Sequence, residues 1–469
     1  MSEFIVIDLG KTLSKVSLWS AEGHMLDRQI RPTESPVVDD IRRLDADGIA
    51  VWLVEALSAY AGRDIGFIIP VGHGAGVVAL DRDKPAFLPL DYEQALPPEI
   101  AAAYRGSRDP FAVTGSPYLP DGLNLGAQIY WLDRLYPEKM QAATLVPWAQ
   151  YWAWFLSGIA VSEVSSLGCH TDLWNPSAAD FSPLARREGW SKRFAPLAKA
   201  SDVVGSLRAD LAEATGLPPE TRILAGLHDS NAALLAARSF PMIAANESTI
   251  LSTGTWFVAM RLAAAPLRAD ALPEDRDTLV NVDVYGKAVP SARFMGGREI
   301  ESIIEFDTRR VDIKPDQPLL LASVGGLIER GTMLMPTLAP GFGPFADRRA
   351  CWVDPPEQWA GTWFARRAAV CLYAALVADT SLDLIGSKER LLIEGRFAEA
   401  EVFVRALAAL RPDTEVYVAN AHNDVSFGAL RLVNPALAAQ GSLRRVEPLD
   451  GDILGYRSKW RRQLAEVAA

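Results

Sequence analysis

The sequence predicts an α/β protein built as twin halves, on three observations. Residues 4–19, FIVIDLGKTLSKVSLW, and 248–260, STILSTGTWFVAM, share one layout: an apolar run, a short turn containing glycine, and a second strand-forming run. Strand-like and helix-like segments are interleaved through the chain. The 469 residues, 49% hydrophobic and 22% charged, are enough for at least two cores. Each repeated stretch reads as a β-hairpin, because β-branched and aromatic residues flank the turn.

The first hairpin turns at Asp8-Leu9-Gly10-Lys11-Thr12 and the second at Ser252-Thr253-Gly254-Thr255. A glycine in such a turn lets backbone approach a ligand, so that successive N–H groups can face anionic oxygens. Asp8 is placed to hold a metal ion through water, and Thr12 and Thr255 can add hydroxyl contacts. A pair of such turns could grip a polyphosphate from both sides, although a single one is usually only a hairpin. The P-loop motif does not apply: it needs a glycine five positions before Gly10, where Ile5 stands, and a helix where Ser14 to Trp19 continue as a strand.

The elements follow in order. After the opening hairpin come a third strand near 27–33, a polar loop from Thr33 to Asp47, a helix near 48–61 and a buried strand at Ile65–Ile69. Gly72-His73-Gly74-Ala75-Gly76 precedes a strand at Val77–Leu80, not a helix, which disfavours a dinucleotide fold. A close approach to a small ligand and a plain tight bend both remain open there. Helices are expected at 123–136 and 147–157, the second with Pro147 in its first turn. Its aromatics, Trp148, Tyr151, Trp152, Trp154 and Phe155, read as packing residues more than as a sugar-stacking surface.

A strand at Thr221–Gly226 delivers Leu227-His228-Asp229 to a helix over Asn231–Arg238. Asp229 therefore stands at a strand end and a helix start together. Asp is a preferred helix cap. The helix field would also keep this carboxylate ionised, as a base accepting a hydroxyl proton requires. His228 could bond a substrate hydroxyl or be a structural histidine. A loop is expected at 262–277, and helices at 296–306, 361–380, 398–410 and 425–439. Gly296-Gly297 opens the first of these, and the strand Arg390–Ile393 meets a glycine corner at Glu394-Gly395-Arg396.

Bulk properties exclude several function classes. A net charge of -11 argues against a nucleic-acid groove and against an anionic membrane surface. The apolar stretch at 366–378 is too short to span a bilayer. Cys169, Cys351 and Cys371 form no CxxC pair, and Met1-Ser2-Glu3 enters a strand without a basic leader, so a reduced cytoplasm is expected. The five histidines (His24, His73, His170, His228, His422) show no zinc-ligand spacing.

In this order the motifs resemble the FGGY carbohydrate kinases of the actin-like, hexokinase-like ATPase superfamily. DLGKTLSK is similar to the first phosphate motif, LGAQIYWLDRLYPE to the first signature region, and LVPWAQYWAWFLSG to the stretch after it. GLHDSNAA resembles the catalytic-aspartate motif, STGTW the second phosphate motif, and MGGRE and IEGRF the glycine corners of the nucleotide side. The His228-Asp229 pair followed by STGTW is most like L-rhamnulose kinases, with fuculose- and xylulose-type kinases as neighbours.

The resemblance implies two ribonuclease-H-like domains, 1–242 and 243–469, with an interdomain cleft. Asp229 would be the catalytic base, and Asp8 would help to hold Mg²⁺. ATP would meet Gly10, Lys11, Thr12, Lys15, Gly254, Thr255, Gly296, Gly297 and Gly395. Sugar would meet Gly72, His73, Tyr92, Glu93 and His228. The implied reaction is ATP-dependent phosphorylation of a small ketose, an L-rhamnulose-like deoxyketohexose first. Other acceptors (fuculose, xylulose, ribulose, a polyol or glycerol) and a sugar-independent actin-like ATPase are the rivals. The resemblance is compatible with a homodimer. Lys11, Gln128, Glu394 and the order Asp91-Tyr92-Glu93 depart from the family pattern.

Overall fold

The computed structural model describes residues 2–265, 271–305, 312–355, 363–419 and 424–466. Strand β1 (Glu3–Leu9) is apolar on both faces, with Ile5, Val6, Ile7 and Leu9 fully buried, as befits a strand central to a sheet covered on both sides. It pairs antiparallel with β2 (Leu13–Trp19), which pairs antiparallel with β3 (Met25–Pro32). Helix α1 (Ala46–Ser58) then leads to β4 (Ile65–Gly72), which runs parallel to β1. The aromatic helix α2 (Trp148–Ser157) packs against this sheet, with Trp148 and Trp152 within its core. The sheet is completed by β5 (Val203–Ser206), β6 (Arg222–Leu224) and β7 (Leu227–His228), and its order is β5-β6-β4-β1-β2-β3 with β7 also on β4. Helix α3 (Asp229–Ala237) follows β7 directly.

A second seven-stranded sheet begins with β8 (Ser248–Thr253), β9 (Phe257–Leu262), β10 (Thr278–Val282) and β11 (Ala288–Phe294). Helices α4 (Gly296–Ile304), α5 (Gln317–Arg330) and α6 (Trp363–Leu384) intervene before β12 (Arg390–Gly395). The chain ends with α7 (Glu401–Leu410), β13 (Glu415–Ala419), α8 (Val425–Leu430), β14 (Leu443–Arg445) and α9 (Ile453–Glu466). The order is β10-β11-β9-β8-β12-β13-β14. The runs β3-β2-β1-β4-β6 and β11-β9-β8-β12-β13 match in order and in direction, antiparallel over the first three strands and parallel over the last three. This is the ribonuclease-H-like order twice over, and the fold is the two-domain actin-like ATPase fold.

The two sheets are stitched together at several points. Helix α8 packs beneath the first sheet, where Phe427 and Leu430 join a core with Val6, Trp19 and Ile69. A Cβ on Gly428 would stand 1.8 Å from the Ala232 carbonyl oxygen, so α8 and α3 meet backbone to backbone. The edge strand β10 donates from Val280 N to Gly115 O (2.8 Å) and from Val282 N to Gly168 O (3.1 Å).

Several boundaries differ from the sequence reading. The first helix starts at Ala46, because Asp45 caps it by accepting from Gly48 N at 3.0 Å. Pro147 is the residue before α2, not within its first turn, since it closes a short strand, Thr144–Pro147, that the sequence reading missed. The helix expected over 425–439 stops at Leu430, ahead of Pro435, which cannot donate to a continuing helix. Strands β5, β10, β11, β13 and β14 and helices α5 and α9 had no counterpart in the sequence reading. Residues 266–270 of the expected loop, residue 306, residues 361–362 and His422 lie outside the described residues. Among the described residues no helix is long and apolar enough to cross a membrane.

Candidate active site

The parallel core of the first sheet brings the expected site residues together at its strand ends. In register, Asp8 pairs with Val71 and Leu9 with Gly72, while His228 pairs with Gly72 on the other side of β4. Asp8, Gly72 and His228 thus lie side by side at the carboxyl ends of three parallel strands, where open α/β sheets bind ligands. Trp148 fixes this edge: its Nε1 donates to Leu9 O at 3.2 Å, and His73 stacks on its ring at 5.6 Å between centroids.

Asp229 is the first residue of α3, and the capping position belongs to His228. Its carboxylate is therefore not spent on capping, which corrects the simplest reading of an Asp at a helix start. Oδ1 accepts from Ser230 N at 2.6 Å and from Ser230 Oγ at 3.2 Å, and the side chain keeps 32% of its surface exposed. Burial raises its pKa above the usual carboxylate range, against the lowering effect of His73 and the Ser230 bonds. The helix field alone had suggested a readily ionised acid; here desolvation outweighs the lowering influences. A carboxylate so raised is a stronger base.

His228 Nε2 stands 3.1 Å from Asp229 Oδ1, and its backbone N donates to Ser165 Oγ at 3.2 Å. Burial lowers the ring to about 4, so it is neutral at pH 7, and Nδ1 is buried without a partner among the described residues. Ser165 Oγ in turn donates to Glu163 Oε2 at 2.5 Å, in a carboxyl that burial raises to about 7. The sequence reading did not pick out Glu163; a lone glutamate in a mixed segment carries no local signal.

The first hairpin closes with Gly10 N on Leu13 O at 3.1 Å, and Thr12 is exposed at its tip. Lys15 Nζ lies 3.0 Å from Asp8 Oδ2. The Lys11 ammonium is bonded to Asp91, and to Ser35 Oγ at 3.0 Å, with Glu93 Oε2 at 3.5 Å and the Tyr92 ring centroid at 5.4 Å. Lys11 thereby ties the hairpin to the loop carrying Tyr92 and Glu93. Tyr92 also meets His73 edge-on at 5.3 Å, so the expected acceptor-side residues Gly72, His73 and Tyr92 form one wall. Gln128 is buried beside it, donating to Ala75 O (2.7 Å) and Gly122 O (2.6 Å).

The second hairpin is tighter, with Gly254 N on Trp256 O at 3.0 Å and Thr255 exposed. Gly297 permits the contact behind it, since a Cβ there would stand 2.0 Å from Gly254 O. A Cβ on Gly296 would meet the Phe257 and Phe294 rings. Gly395 has φ +86° and lies against β8, where a Cβ would fall 2.3 Å from Thr253 O. Both conditions demand glycine. A cavity of about 740 Å³ opens here, bounded by Ser252 and Glu394-Gly395 of the second sheet, Ala233 of α3, and Asp424 and Val425. It reaches from the helix that Asp229 begins to the strand ends beside the second hairpin.

The donor set suits a cation held by few protein ligands. Asp8 is buried, and burial raises its carboxyl, with Lys15 lowering it and the charges of Asp229 and Asp424 adding to the rise. Lys15 faces Asp8 and Arg28 faces Asp424, which leaves Asp229 without a cationic partner among the described residues, and a divalent cation would relieve that negative charge. Among the described residues no group of three or more His, Cys, Asp or Glu side chains is gathered to hold a metal.

Comparison with known proteins bears on this geometry. The family profile described as carbohydrate kinase FGGY, C-terminal domain, matches residues 245–441. The crystal structure of a carbohydrate kinase from Novosphingobium aromaticivorans is 64% identical, covers 98% of this chain and 99% of its own, and superposes with a TM-score of 0.94. More distant structures share the fold. A glycerol kinase from Plasmodium falciparum with ADP is 13% identical over 99% of this chain and 98% of its own, with a TM-score of 0.81. A ligand-bound xylulose kinase from Lactobacillus acidophilus is 14% identical over 100% and 99%, with a TM-score of 0.80. No curated protein sequence matches the chain.

Proposed function

Since the chain belongs to the FGGY carbohydrate kinases, phosphotransferases with an alcohol acceptor, we propose that it phosphorylates a small ketose at the expense of ATP, L-rhamnulose or a related deoxyketohexose first. The observation that carries this reading is Asp229. It heads α3 between the parallel strand ends of the first sheet and the 740 Å³ cavity, and its carboxylate is partly exposed and not engaged in capping. In the reaction, Asp229 takes the proton of the attacking hydroxyl, the hydroxyl oxygen bonds to the γ-phosphorus, and the bond to the bridging oxygen breaks to release ADP.

Gly10, Lys11, Thr12, Lys15, Gly254 and Thr255 serve the phosphates. Gly296, Gly297 and Gly395 let backbone approach the nucleotide. Gly72, His73, Tyr92, Glu93 and His228 serve the sugar, and Lys11, through Asp91, joins the two sets. Asp8 would help to hold Mg²⁺, which would supply charge neutralisation on the phosphates. The division of labour follows the halves, residues 1–242 toward sugar and 243–469 toward nucleotide, with α8 crossing back. All three cysteines are free, which supports a reduced cytoplasm as its place.

Substrate class is decided by ADP release measured with L-rhamnulose, L-fuculose, D-xylulose, ribulose, a polyol and glycerol. The expected result is strong stimulation by ketoses, with L-rhamnulose giving the highest kcat/KM. A different preferred sugar would correct the acceptor. ADP release independent of every sugar would overturn the kinase reading in favour of an ATPase.

A further inference from the structure

We propose that Glu394 is a specificity-determining residue of the nucleotide cavity, its carboxylate accepting hydrogen bonds from the 2′- and 3′-hydroxyls of the ATP ribose. The proposal rests on the reading of that cavity as the seat of ATP. Glu394 pairs in register with Ser252 of β8, and both residues line the 740 Å³ space. Its carbonyl accepts from Thr253 Oγ1 at 2.5 Å, but its carboxyl has no hydrogen-bond or ion-pair partner among the described residues.

The other charged groups lining the cavity are matched. Lys314 pairs with Glu399 (2.9 Å), Arg444 with Glu401 (3.0 Å), and Asp424 with Arg28 (2.5 Å). Among the described residues Glu394 is the unmatched acid on this wall, and burial raises its carboxyl to about 7. Such a group gains from neutral donors and repels phosphate.

Position selects the donors. Ser252 lies two residues before Gly254, roughly 7 Å along the strand from the second phosphate turn. The ribose is the part of the nucleotide next to the phosphates, and its two neighbouring hydroxyls match the two oxygens of one carboxylate. The adenine amino group, farther from the phosphates, offers one site.

The test is calorimetric binding of ATP, 2′-deoxy-ATP, 3′-deoxy-ATP and GTP at pH 8 to the wild-type protein, Glu394→Gln and Glu394→Ala. The wild type is expected to bind each deoxy analogue about tenfold or more weakly than ATP, the weight of a hydrogen bond to a charged group. Glu394→Ala removes both bonds, so ATP should bind the variant no better than the deoxy analogues do, and more weakly than either deoxy analogue binds the wild type. The near-isosteric Glu394→Gln should lie between. Equal loss for ATP and both deoxy analogues in the two variants would overturn the proposal, because it would mean a purely structural role. A changed preference between ATP and GTP with ribose discrimination intact would also overturn it, placing the residue at the base. A wild-type protein that binds no ATP would instead refute the underlying assignment of the cavity.

Discussion

The proposed reaction concentrates its chemistry in the Asp229 carboxylate, and replacement by Asn would separate catalysis from binding. The amide keeps the shape and the Ser230 contacts but cannot accept the hydroxyl proton. kcat should fall at least about a hundredfold, with ATP affinity from calorimetry unchanged. The same carboxyl sets the pH dependence. Its pKa is raised, so the basic form is lost at a higher pH than for an ordinary carboxylate. Activity should therefore fall as pH drops through that raised value, with a midpoint above the ~3.9 of a free Asp; a kcat/KM profile flat down to pH 4 would contradict this.

Lys11 gives a third outcome at this scale. Asp91 is fully buried against it, so Lys11→Met leaves an unpaired buried carboxylate, a change of about 3–5 kcal/mol when a buried pair is broken. Differential scanning should show a lowered Tm, and steady-state kinetics a raised sugar KM. The placement of Asp8 near the end of an apolar strand and of Asp229 at a helix start was legible in the sequence, because an apolar run precedes each. The Lys11–Asp91 pair was not, because a contact across 80 positions leaves no local pattern. The rise of the Asp229 pKa was likewise hidden, since desolvation belongs to the assembled cleft.

At the level of the element, the glycine corners carry the geometry. Gly395 holds φ +86° with a backbone oxygen in the place a Cβ would take, and Gly297 meets Gly254 O in the same way. Gly395→Ala and Gly297→Ala should each lower the Tm and raise the KM for ATP, since β12 or the second hairpin must shift to make room. An unchanged KM for ATP in both would show that these close approaches do not shape the nucleotide site. The hairpins themselves were readable because strand-forming runs flank a glycine turn, and α6 because its apolar composition is sustained over about six turns, whereas α5, with Pro318 and Gly325-Gly326 in it, was not. Strands β10 and β11 escaped notice. One follows a proline- and charge-rich stretch, and the other carries Pro290 and Arg293 among its small residues, so neither shows a clean alternation.

Across the whole molecule, duplication explains why two similar turns face one task. Each sheet presents a hairpin and parallel strand ends, and the backbone contact between α3 and α8 fixes the helix headed by Asp229 to a segment from the second half. That crossing back was invisible in the sequence, because a domain boundary drawn at one residue assumes that each half keeps to itself. Binding that draws on both halves should stabilise them jointly. At a hundredfold excess over Kd each ligand adds about 2.7 kcal/mol. Sugar and a non-hydrolysable ATP analogue together should therefore raise the Tm more than either alone, as scanning calorimetry would record.

The most direct measurement is a crystal structure with L-rhamnulose and a non-hydrolysable ATP analogue bound together. The acceptor hydroxyl should lie within hydrogen-bond distance of the Asp229 carboxylate, and the γ-phosphate between the turns at Gly10 and Gly254. A γ-phosphate bound away from either turn, or a sugar hydroxyl out of reach of Asp229, would contradict the proposed reaction.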